Sequence, residues 1–230
     1  MNAPDLSDDE LFPDEPDYYR SSYDNALVRI SIRDSWRRTR DLPFVAGEYR
    51  WTGYDYLGES TMWPMKAWHY GILDLAGFPK DAYYLYQSLW TVEPMVHLLP
   101  HWTHPGKEGV PIPMACYTNC EAVELLVNGE SRGRQEYDQN LMQLVWDVPY
   151  EAGVIEAVGY VGDAVACRTS HATAGSPARI ELLLDDESGS RAPGRLTHVA
   201  ARVVDSHGTL APNANVMLEW DVTGGEVVAT

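Results

Sequence analysis

The sequence GFPKDAYYLYQSLWTVEPMVHLLPHW, residues 77–102, contains the change of pattern that decides the fold class. Pro79 suits the first turn of a helix over residues 79–90, and Asp81 lies where a carboxylate stabilises the positive end of a helix. Three aromatic residues at i, i+3 and i+7 spacing predict the buried stripe of this helix: Tyr83, Tyr86 and Trp90. Beyond the helix the apolar runs become short and are separated by turn residues, which is typical of β-strands.

Upstream of this helix, the sequence indicates an α/β arrangement. Residues 22–41, SYDNALVRISIRDSWRRTRD, have a helical pattern in which three residues share one face: Ala26, Ile30 and Trp36. The apolar, aromatic-rich run LPFVAGEYRW, residues 42–51, predicts a buried strand, and residues 70–77 predict either another short strand or a turn-rich connection. Because strand, loop and helix follow one another over residues 42–90, this part of the chain predicts the closing unit of an α/β fold.

From about residue 93 onward the sequence predicts an all-β region. Six short apolar runs alternate with turns: PMVHLLPHW, IPMACYTN, AVELLVNG, LMQLVWDVPY, GVIEAVGYVG and AVACRTSH. Asn128-Gly129 is typical of a tight hairpin turn or a G1-bulge turn, so residues 93–174 are interpreted as a small antiparallel sandwich. Four further runs predict the start of a second β-domain over residues 175–230: ARIELLLDD, LTHVAARVVD, NVMLEWDVTG and EVVAT. This region is short for a complete sandwich, so we expect the second domain to be truncated.

Composition limits the partners of the chain. The formal net charge of −17 argues against nucleic acid as a partner, because binding phosphates requires clustered Lys and Arg. No apolar run approaches the roughly 20 residues that span a bilayer, so no membrane partner is expected. The three cysteines are too few for a disulfide scaffold and leave the cellular compartment open: Cys116, Cys120 and Cys167.

The densest chemistry lies in GEYRWTGYDYLGEST, residues 47–61, which contains three carboxylates: Glu48, Asp55 and Glu59. The two carboxyl groups that cleave a glycoside lie ~5 Å or ~6.5–9.5 Å apart. If residues 44–52 are a strand, Glu48 and Asp55 are separated by up to ~20 Å, so we expect no complete acid–base pair here. Trp51 is a better candidate, because a Trp at a strand end offers a sugar a flat apolar face, although a core Trp fits the pattern equally well.

Three histidines in HLLPHWTH invite comparison with a metal site: His97, His101 and His104. Pro100 prevents the regular helix that would bring the first two to one face, and no neighbouring carboxylate or Cys-x-x-Cys spacing supports zinc. Cys116 and Cys120, four residues apart, fit neither the usual zinc spacing nor a thioredoxin motif. We predict no metal and no cofactor in this chain.

Several blocks of the sequence resemble glycoside hydrolase family 2, the β-galactosidase and β-glucuronidase family, and in particular one bacterial β-galactosidase-like branch. These blocks are SSYDN, PFVAGEYRWTGYDYLGE, GILDLAGFPKDAYYLYQSLW, MVHLLPHW and YTNCEAVELLVNG. The resemblance implies an α/β plus all-β fold, in which residues 1–92 form the C-terminal end of a (β/α)8 barrel. Residues 93–174 would then be an immunoglobulin-like β-sandwich, and residues 175–230 the start of a second one. Active sites of such barrels lie at the C-terminal ends of the strands.

The resemblance also implies roles for individual residues. Trp51 matches the family tryptophan beside the sugar in the −1 subsite, and Asp55 matches an acidic position just after it, so both are candidate substrate-binding residues. Family members use a nucleophilic glutamate and an acid/base glutamate that follows an asparagine. No Asn-Glu pair occurs in this chain, and nothing before Ser21 matches the segment that carries the nucleophile. We therefore expect both catalytic residues to be absent.

The glucuronidase branch reads the sugar carboxylate with an Asn-x-Lys motif, and the matching positions here hold Trp68, His69 and Tyr70. A neutral sugar is thereby favoured. We expect a C-terminal fragment of a retaining enzyme of carbohydrate metabolism that acts on β-galactosides or related β-glycosides, inactive in isolation. The missing N-terminal part of the enzyme would be a partner as a separate chain. The alternatives are a non-catalytic carbohydrate-binding or spacer module and a subunit of a split glycosidase.

Overall fold

The computed structural model describes residues 32–58, 66–184 and 196–228, and these residues are mostly β-sheet. The chain divides into two units, the first ending at Ala172 and the second beginning at Thr173.

Within its described residues, the first unit has two helices and nine strands. The helices are α1 Ile32–Asp41 and α2 Asp81–Trp90. The strands are β1 Tyr56–Leu57, β2 Ala67–Trp68, β3 Val96–Leu99, β4 Pro111–Thr118, β5 Ala122–Val127, β6 Glu130–Glu136, β7 Leu144–Pro149, β8 Val154–Val161 and β9 Ala164–Ala172. Strands β1 and β2 form a small hairpin, and the others form a three-stranded sheet of order β3-β4-β7 and a four-stranded sheet of order β6-β5-β8-β9. All strand pairings are antiparallel.

The two larger sheets face each other across one apolar core. Alternate residues of β4 and β7 point into this core from the three-stranded sheet: Ile112, Met114, Cys116, Leu144, Trp146 and Val148. Alternate residues of β5 and β8 enter from the four-stranded sheet: Val123, Leu125, Val127, Ile155 and Ala157. This alternation is the period of two that a strand imposes on its side chains, and it confirms the antiparallel two-sheet arrangement expected from the sequence.

Strand β4 is buried on both of its faces. Its other side chains, Ala115 and Tyr117, belong to a second cluster together with Leu85 and Tyr86 of α2. Helix α2 therefore covers the outer face of the three-stranded sheet. Burial on both faces explains why β4 reads as a nearly continuous apolar run, whereas β7 alternates between buried and more exposed positions.

The predicted hairpin at Asn128-Gly129 is confirmed. Both residues have positive φ, 51° and 83°, as a two-residue hairpin turn between twisted strands requires. The turn leads into β6, ESRGRQE, a strand that the apolar runs in the sequence did not reveal. Its residues are mostly exposed and polar because β6 lies at the edge of the four-stranded sheet.

Helix α2 begins at Asp81, and the residues on its buried face differ from those predicted. Its buried residues are Ala82, Leu85, Tyr86 and Ser88, while Tyr83 is half-buried and Trp90 is 57% exposed. Each residue turns the helix by about 100°, so positions 83 and 90 lie away from the face centred on Ala82 and Leu85. The prediction was therefore wrong for Tyr83 and Trp90 and correct for Tyr86.

Helix α1 confirms the C-terminal half of the predicted helix over 22–41; Ala26 and Ile30 lie outside the described residues. Ile32 is buried and Trp36 packs on the cluster around α2. Three arginines of α1 bind the backbone of the turn at residues 139–141: Arg33 donates to the Leu141 carbonyl, Arg37 to that of Asn140 and Arg40 to that of Gln139, at 3.1, 2.8 and 2.6 Å. The helix is thus attached to the connection that leads into β7.

The expected buried strand over residues 44–52 is not found. The segment has no strand partner among the described residues, and two of its aromatic side chains, Phe44 and Tyr49, are exposed. An apolar sequence becomes a strand only when the backbone of a neighbouring strand completes its hydrogen bonds. Here Val45 N–H donates to the nearby Leu42 carbonyl, and Thr52 bonds with Tyr70 and Ile72, so no ladder forms along the described segment. Residues 70–77 are the turn-rich connection that the sequence left open as one of two choices.

The second unit contains a two-stranded antiparallel ribbon, β10 Arg179–Leu184 and β11 Val199–Val204. Asp205 shapes the turn after β11, because its side chain accepts hydrogen bonds from the backbone of Gly175, His207 and Thr209. The strand expected over 215–224 is absent and none forms over 226–228, so this expectation was wrong for the described residues. Met217, at 91% exposure, illustrates the reason: the segment lacks a packed apolar face there.

Candidate functional site

Trp51 presents its ring to the surface in a defined orientation. The side chain is 68% exposed, and its indole N–H donates to the Tyr56 hydroxyl at 3.2 Å. The two rings meet edge to face with centroids 6.1 Å apart. The Trp51–Thr52 peptide bond is cis. The sequence left open whether Trp51 is a surface platform or a core residue. Because its indole is exposed, Trp51 is not a core residue.

The backbone after Trp51 is fixed to a second segment by a ladder of hydrogen bonds. Residues 52–55 run beside residues 70–73, through contacts from Thr52 N–H to Tyr70 O, Ile72 N–H to Thr52 O, Leu73 N–H to Gly53 O and Asp55 N–H to Leu73 O. Their lengths are 3.4, 3.2, 3.0 and 2.9 Å. This ladder positions the loop that carries the exposed indole even though neither segment is a regular strand.

Asp55 anchors the same loop from inside. Its carboxyl side chain is only 2% exposed. One oxygen accepts from the Gly71 N–H at 2.8 Å and from the Lys80 ammonium at 2.6 Å, and the other lies 3.3 Å from Nδ1 of His69. Lys80 also donates to the His69 carbonyl at 3.3 Å. The carboxylate is therefore held within the protein by one cation and two further polar groups.

Gly71 is required by the close approach of the two backbone segments. A Cβ at this position would lie 2.1 Å from the Asp55 nitrogen and 2.4 Å from the Leu73 oxygen. No side chain fits in such a gap. The absence of a side chain at Gly71 is what allows its N–H to reach the Asp55 carboxylate.

A second aromatic pair lies on the hairpin formed by β1 and β2. Trp68 and Tyr70 stack with their centroids 4.7 Å apart and their planes inclined by 14°. Trp68 is the cross-strand partner of Tyr56, the residue that orients Trp51. The hairpin therefore connects the exposed indole to the aromatic residues at positions 68 and 70.

Glu48, another carboxylate of residues 47–61, has its own partners on helix α1. Glu48 accepts hydrogen bonds from the hydroxyls of Ser35 and Thr39 of α1 at 2.5 and 2.9 Å, whereas Asp55 binds Lys80. Glu48 and Asp55 therefore have separate structural partners. Glu59 lies outside the described residues.

The three histidines of HLLPHWTH have different environments. His97 on β3 lies 2.7 Å from the Asp81 carboxylate and stacks on Tyr84, which joins α2 to the three-stranded sheet. His101 and His104 stack on each other after β3. Among the residues that the structure describes, no group of three or more His, Cys, Asp or Glu side chains could hold a metal ion. In the same part of the chain, no helix has the length and apolar character needed to cross a membrane.

Sequence reasoning found Trp51 and Asp55 but missed the residues that organise them. Tyr56, His69, Gly71 and Lys80 follow no pattern in the sequence that would link them to Asp55. The 25-residue separation of Asp55 and Lys80 shows the difficulty, because only the folded backbone brings them together. The one available signal was Gly71, a glycine between apolar residues where the chain could approach another segment closely.

Comparison with known proteins first identifies the class. The chain is 43% identical over 215 residues to a putative β-glucuronidase of Formosa agariphila, and 41% identical over 216 residues to the β-galactosidase BoGH2A of Bacteroides ovatus. These matches cover 90% and 91% of this chain but 21% and 25% of the relatives. The chain thus spans about a quarter of the length of these curated relatives, and it is a homologue of glycoside hydrolases.

The chain is also similar to solved structures of glycoside hydrolases. A β-glycosidase from Bacteroides vulgatus matches with a TM-score of 0.80 and 47% identity, covering 92% of this chain and 27% of that one. A glycoside hydrolase family 2 member from Bacteroides cellulosilyticus matches with a TM-score of 0.66 and 32% identity, over 77% of this chain and 26% of that one. Residues 109–167 match a family described as a domain of unknown function, DUF4982. The resemblance to glycoside hydrolase family 2 is confirmed.

Proposed function

We propose that this chain supplies one wall of the sugar-binding site, and the β-modules beside it, in a retaining glycoside hydrolase that acts on β-galactosides or related β-glycosides. The observation that carries the proposal is the exposed indole of Trp51, which is oriented by Tyr56 and anchored through Asp55. A sugar ring would lie with its C–H groups against the indole face, as apolar ligand surfaces do on aromatic side chains.

Trp51 and Asp55 have different roles in this proposal. Trp51 contacts the sugar in the −1 subsite, because its face is open. Asp55 serves the substrate site by fixing the loop, since Gly71, Lys80 and His69 already surround its carboxylate. Displacing the loop would misplace the indole, and a misplacement of about 1 Å is enough to reduce catalysis strongly.

The reaction itself needs two carboxylates that this chain does not supply. In retaining hydrolysis one carboxylate attacks the anomeric carbon while the other protonates the leaving oxygen, and the second then activates the water that releases the sugar. The nucleophile and the acid/base would lie in the remainder of the enzyme, joined to this chain or carried by a partner chain. The isolated chain is therefore proposed to be inactive.

We propose that the enzyme prefers a neutral sugar as its substrate. The curated relatives are named both β-glucuronidase and β-galactosidase, so their names do not decide between an acidic and a neutral sugar. Positions 68 and 70 form an aromatic stack. The Lys80 ammonium, which could otherwise pair with a sugar carboxylate, is bound to Asp55 at 2.6 Å. Both observations support a β-galactoside over a β-glucuronide.

The proposed architecture follows the family. Residues 1–92 would complete the end of a (β/α)8 barrel, with α2 as its last helix. Residues 93–174 would be an immunoglobulin-like module, and residues 175–230 would begin a second. Support comes from the two facing antiparallel sheets of residues 96–172 and from helix α2, which directly precedes them in the chain.

Saturation-transfer NMR with methyl β-galactoside tests the sugar site in the chain as it exists. We expect a weak signal that is lost in Trp51→Ala and retained in Trp90→Ala, a matched control that removes another exposed indole. Methyl β-glucuronide should give a weaker signal than the galactoside. A galactoside signal that persists in Trp51→Ala would contradict the role of Trp51 and favour the alternative of a sugar-binding β-module.

A hydrolysis assay tests the assignment of the missing carboxylates. The purified chain should release no nitrophenol from nitrophenyl β-galactoside. Hydrolysis by the purified chain that a single Glu or Asp substitution abolishes would show that the catalytic carboxylate lies within these 230 residues and would overturn this part of the proposal.

A further inference from the structure

Two of the three cysteines meet inside the first unit. Cys120, in the turn between β4 and β5, and Cys167, on β9, place their sulfur atoms 3.4 Å apart although 47 positions separate them in the chain. Both are free thiols, as is Cys116. The Cys120 side chain is buried, whereas Cys167 is partly exposed on an edge strand of the four-stranded sheet.

Gly159 on β8 creates the space in which the two sulfur atoms meet. It is the cross-strand partner of Cys167. A Cβ at Gly159 would lie 2.7 Å from Sγ of Cys120 and 2.8 Å from Sγ of Cys167. Any side chain at this position would therefore come between the two thiols, and glycine leaves them in direct contact.

We propose that Cys120 and Cys167 are a site of intramolecular disulfide formation, in which a small disulfide oxidant such as oxidised glutathione links the β4–β5 turn to β9 across Gly159. A disulfide bond is ~2.05 Å long, so the two sulfur atoms, now 3.4 Å apart, must approach each other by a little over 1 Å. The bond would fasten an edge strand to the sheet interior across an intervening strand. This inference does not depend on the proposed function.

The chemistry balances with the oxidant named. The thiolate of Cys167, the more exposed of the two, attacks one sulfur of oxidised glutathione and releases one glutathione thiolate, which leaves a mixed disulfide. Cys120, after losing its proton, attacks Sγ of Cys167 and releases the second glutathione. Two protein thiols are oxidised to one disulfide, and one molecule of oxidised glutathione is reduced to two thiols.

The surroundings make this reaction slow at neutral pH. Burial, followed by the hydrogen bond with Cys120, raises the pKa of Cys167 to about 12. Only the thiolate attacks a disulfide, so below this pKa the rate should increase about tenfold for each pH unit. Cys116 is a suitable bystander, because its thiol lies in the apolar core and its sulfur is directed toward the Tyr117 carbonyl.

The test is to incubate the folded chain with oxidised glutathione at pH 8 and pH 9, followed by peptide mapping without reduction. We expect a Cys120–Cys167 peptide, a fall from three free thiols to one, and about tenfold faster formation at pH 9. The thermal midpoint should rise by roughly 5–10 °C, because the link constrains a long loop of the unfolded chain. Cys116→Ala should give the same link.

Two variants probe the assignment further. Cys120→Ser should stop the reaction at a mixed disulfide on Cys167, and Gly159→Ala should slow the link in chains whose circular dichroism remains native. The peptide map of the wild-type chain alone shows whether Cys120 and Cys167 become linked. A map in which Cys167 stays as a mixed disulfide, or in which the link forms only in urea, would overturn the proposal.

Discussion

The Lys80 ammonium lies 2.6 Å from the buried carboxylate of Asp55, and this contact joins the loop that carries Trp51 to the first residues of helix α2. Lys80 precedes the helix directly, and Asp55 follows the indole by four positions. A surface side chain is thus fixed by an ion pair that is itself almost inaccessible to water. The orientation of Trp51 should therefore depend on residues that a bound sugar never touches.

Asp55→Asn should destabilise the first unit by about 3 kcal/mol, because it leaves the ammonium of Lys80, whose side chain is 18% exposed, without its counter-charge. Urea unfolding at pH 7 measures this change. The matched control is Glu156→Gln, which breaks the Arg168–Glu156 pair at 2.8 Å on an exposed surface and should cost less than about 1 kcal/mol. Equal losses for the two variants would show that burial adds nothing to the Asp55 contact.

Gly71→Ala should destabilise the loop by about 2–3 kcal/mol, because its Cβ would overlap backbone atoms of residues 54, 55 and 73. Gly53→Ala in the neighbouring segment is the control, since nothing lies within 4 Å of a Cβ built there. The measurement is hydrogen exchange of the amides at residues 52–55 and 70–73, followed by mass spectrometry. Faster exchange is expected only in the Gly71 variant, and unchanged protection in it would contradict the close approach.

His171 should make the first unit less stable in mild acid. Burial lowers the pKa of His171 below its ordinary value of 6.5, and its Nε2 lies 2.7 Å from the Leu98 carbonyl. The unfolded chain therefore takes up a proton first as the pH falls below about 6.5, and stability decreases from there down to the lowered pKa of the folded state. The slope contributed by this residue is at most about 1.4 kcal/mol per pH unit.

Urea unfolding at pH 7.5, 6.5 and 5.5 measures this effect, and His171→Gln should flatten the dependence. His97 lowers the pKa of His171 and Asp81 raises it. The wild-type chain should therefore be compared with a variant in which only His171 is changed. His207→Gln, at an exposed turn of the second unit, should leave the profile of the first unit unchanged. If the unfolding free energy of His171→Gln depends on pH as that of the wild type does, another group causes the acid sensitivity.

Leu85→Ala should cost about 2–5 kcal/mol, because Leu85 is fully buried between α2 and the three-stranded sheet and its truncation leaves a cavity. The loss should extend beyond the helix: amides of β4 and β7 should also exchange faster. Leu57→Ala, which removes an exposed leucine of the β1–β2 hairpin, should change stability by less than about 0.5 kcal/mol. Faster exchange confined to residues 81–90 would indicate that the helix opens independently.

The sequence predicted the elements whose signals are local. Asn128-Gly129 specified its own turn, and the short apolar runs separated by turn residues predicted strands β3, β4, β5, β7, β8 and β9. The failures involve neighbours that a local pattern does not contain. Residues 44–52 have the composition of a strand but no strand partner among the described residues, and the buried side of α2 is set by Ala115 and Tyr117 of β4. For the site, the exposed indole was proposed from its position, whereas Lys80 and Gly71 required the folded backbone.

The two-sided burial of β4 has a consequence for how this part of the chain can be inherited. A gene rearrangement that separated the helix from the sandwich near residue 92 would leave Ala115 and Tyr117 facing water, so the sandwich could not be transferred alone without new polar residues on that face. A crossover between Ala172 and Thr173 would leave the packing within each unit intact. Viable recombination breakpoints should therefore cluster between Ala172 and Thr173, and helix α2 and the sandwich should be inherited together.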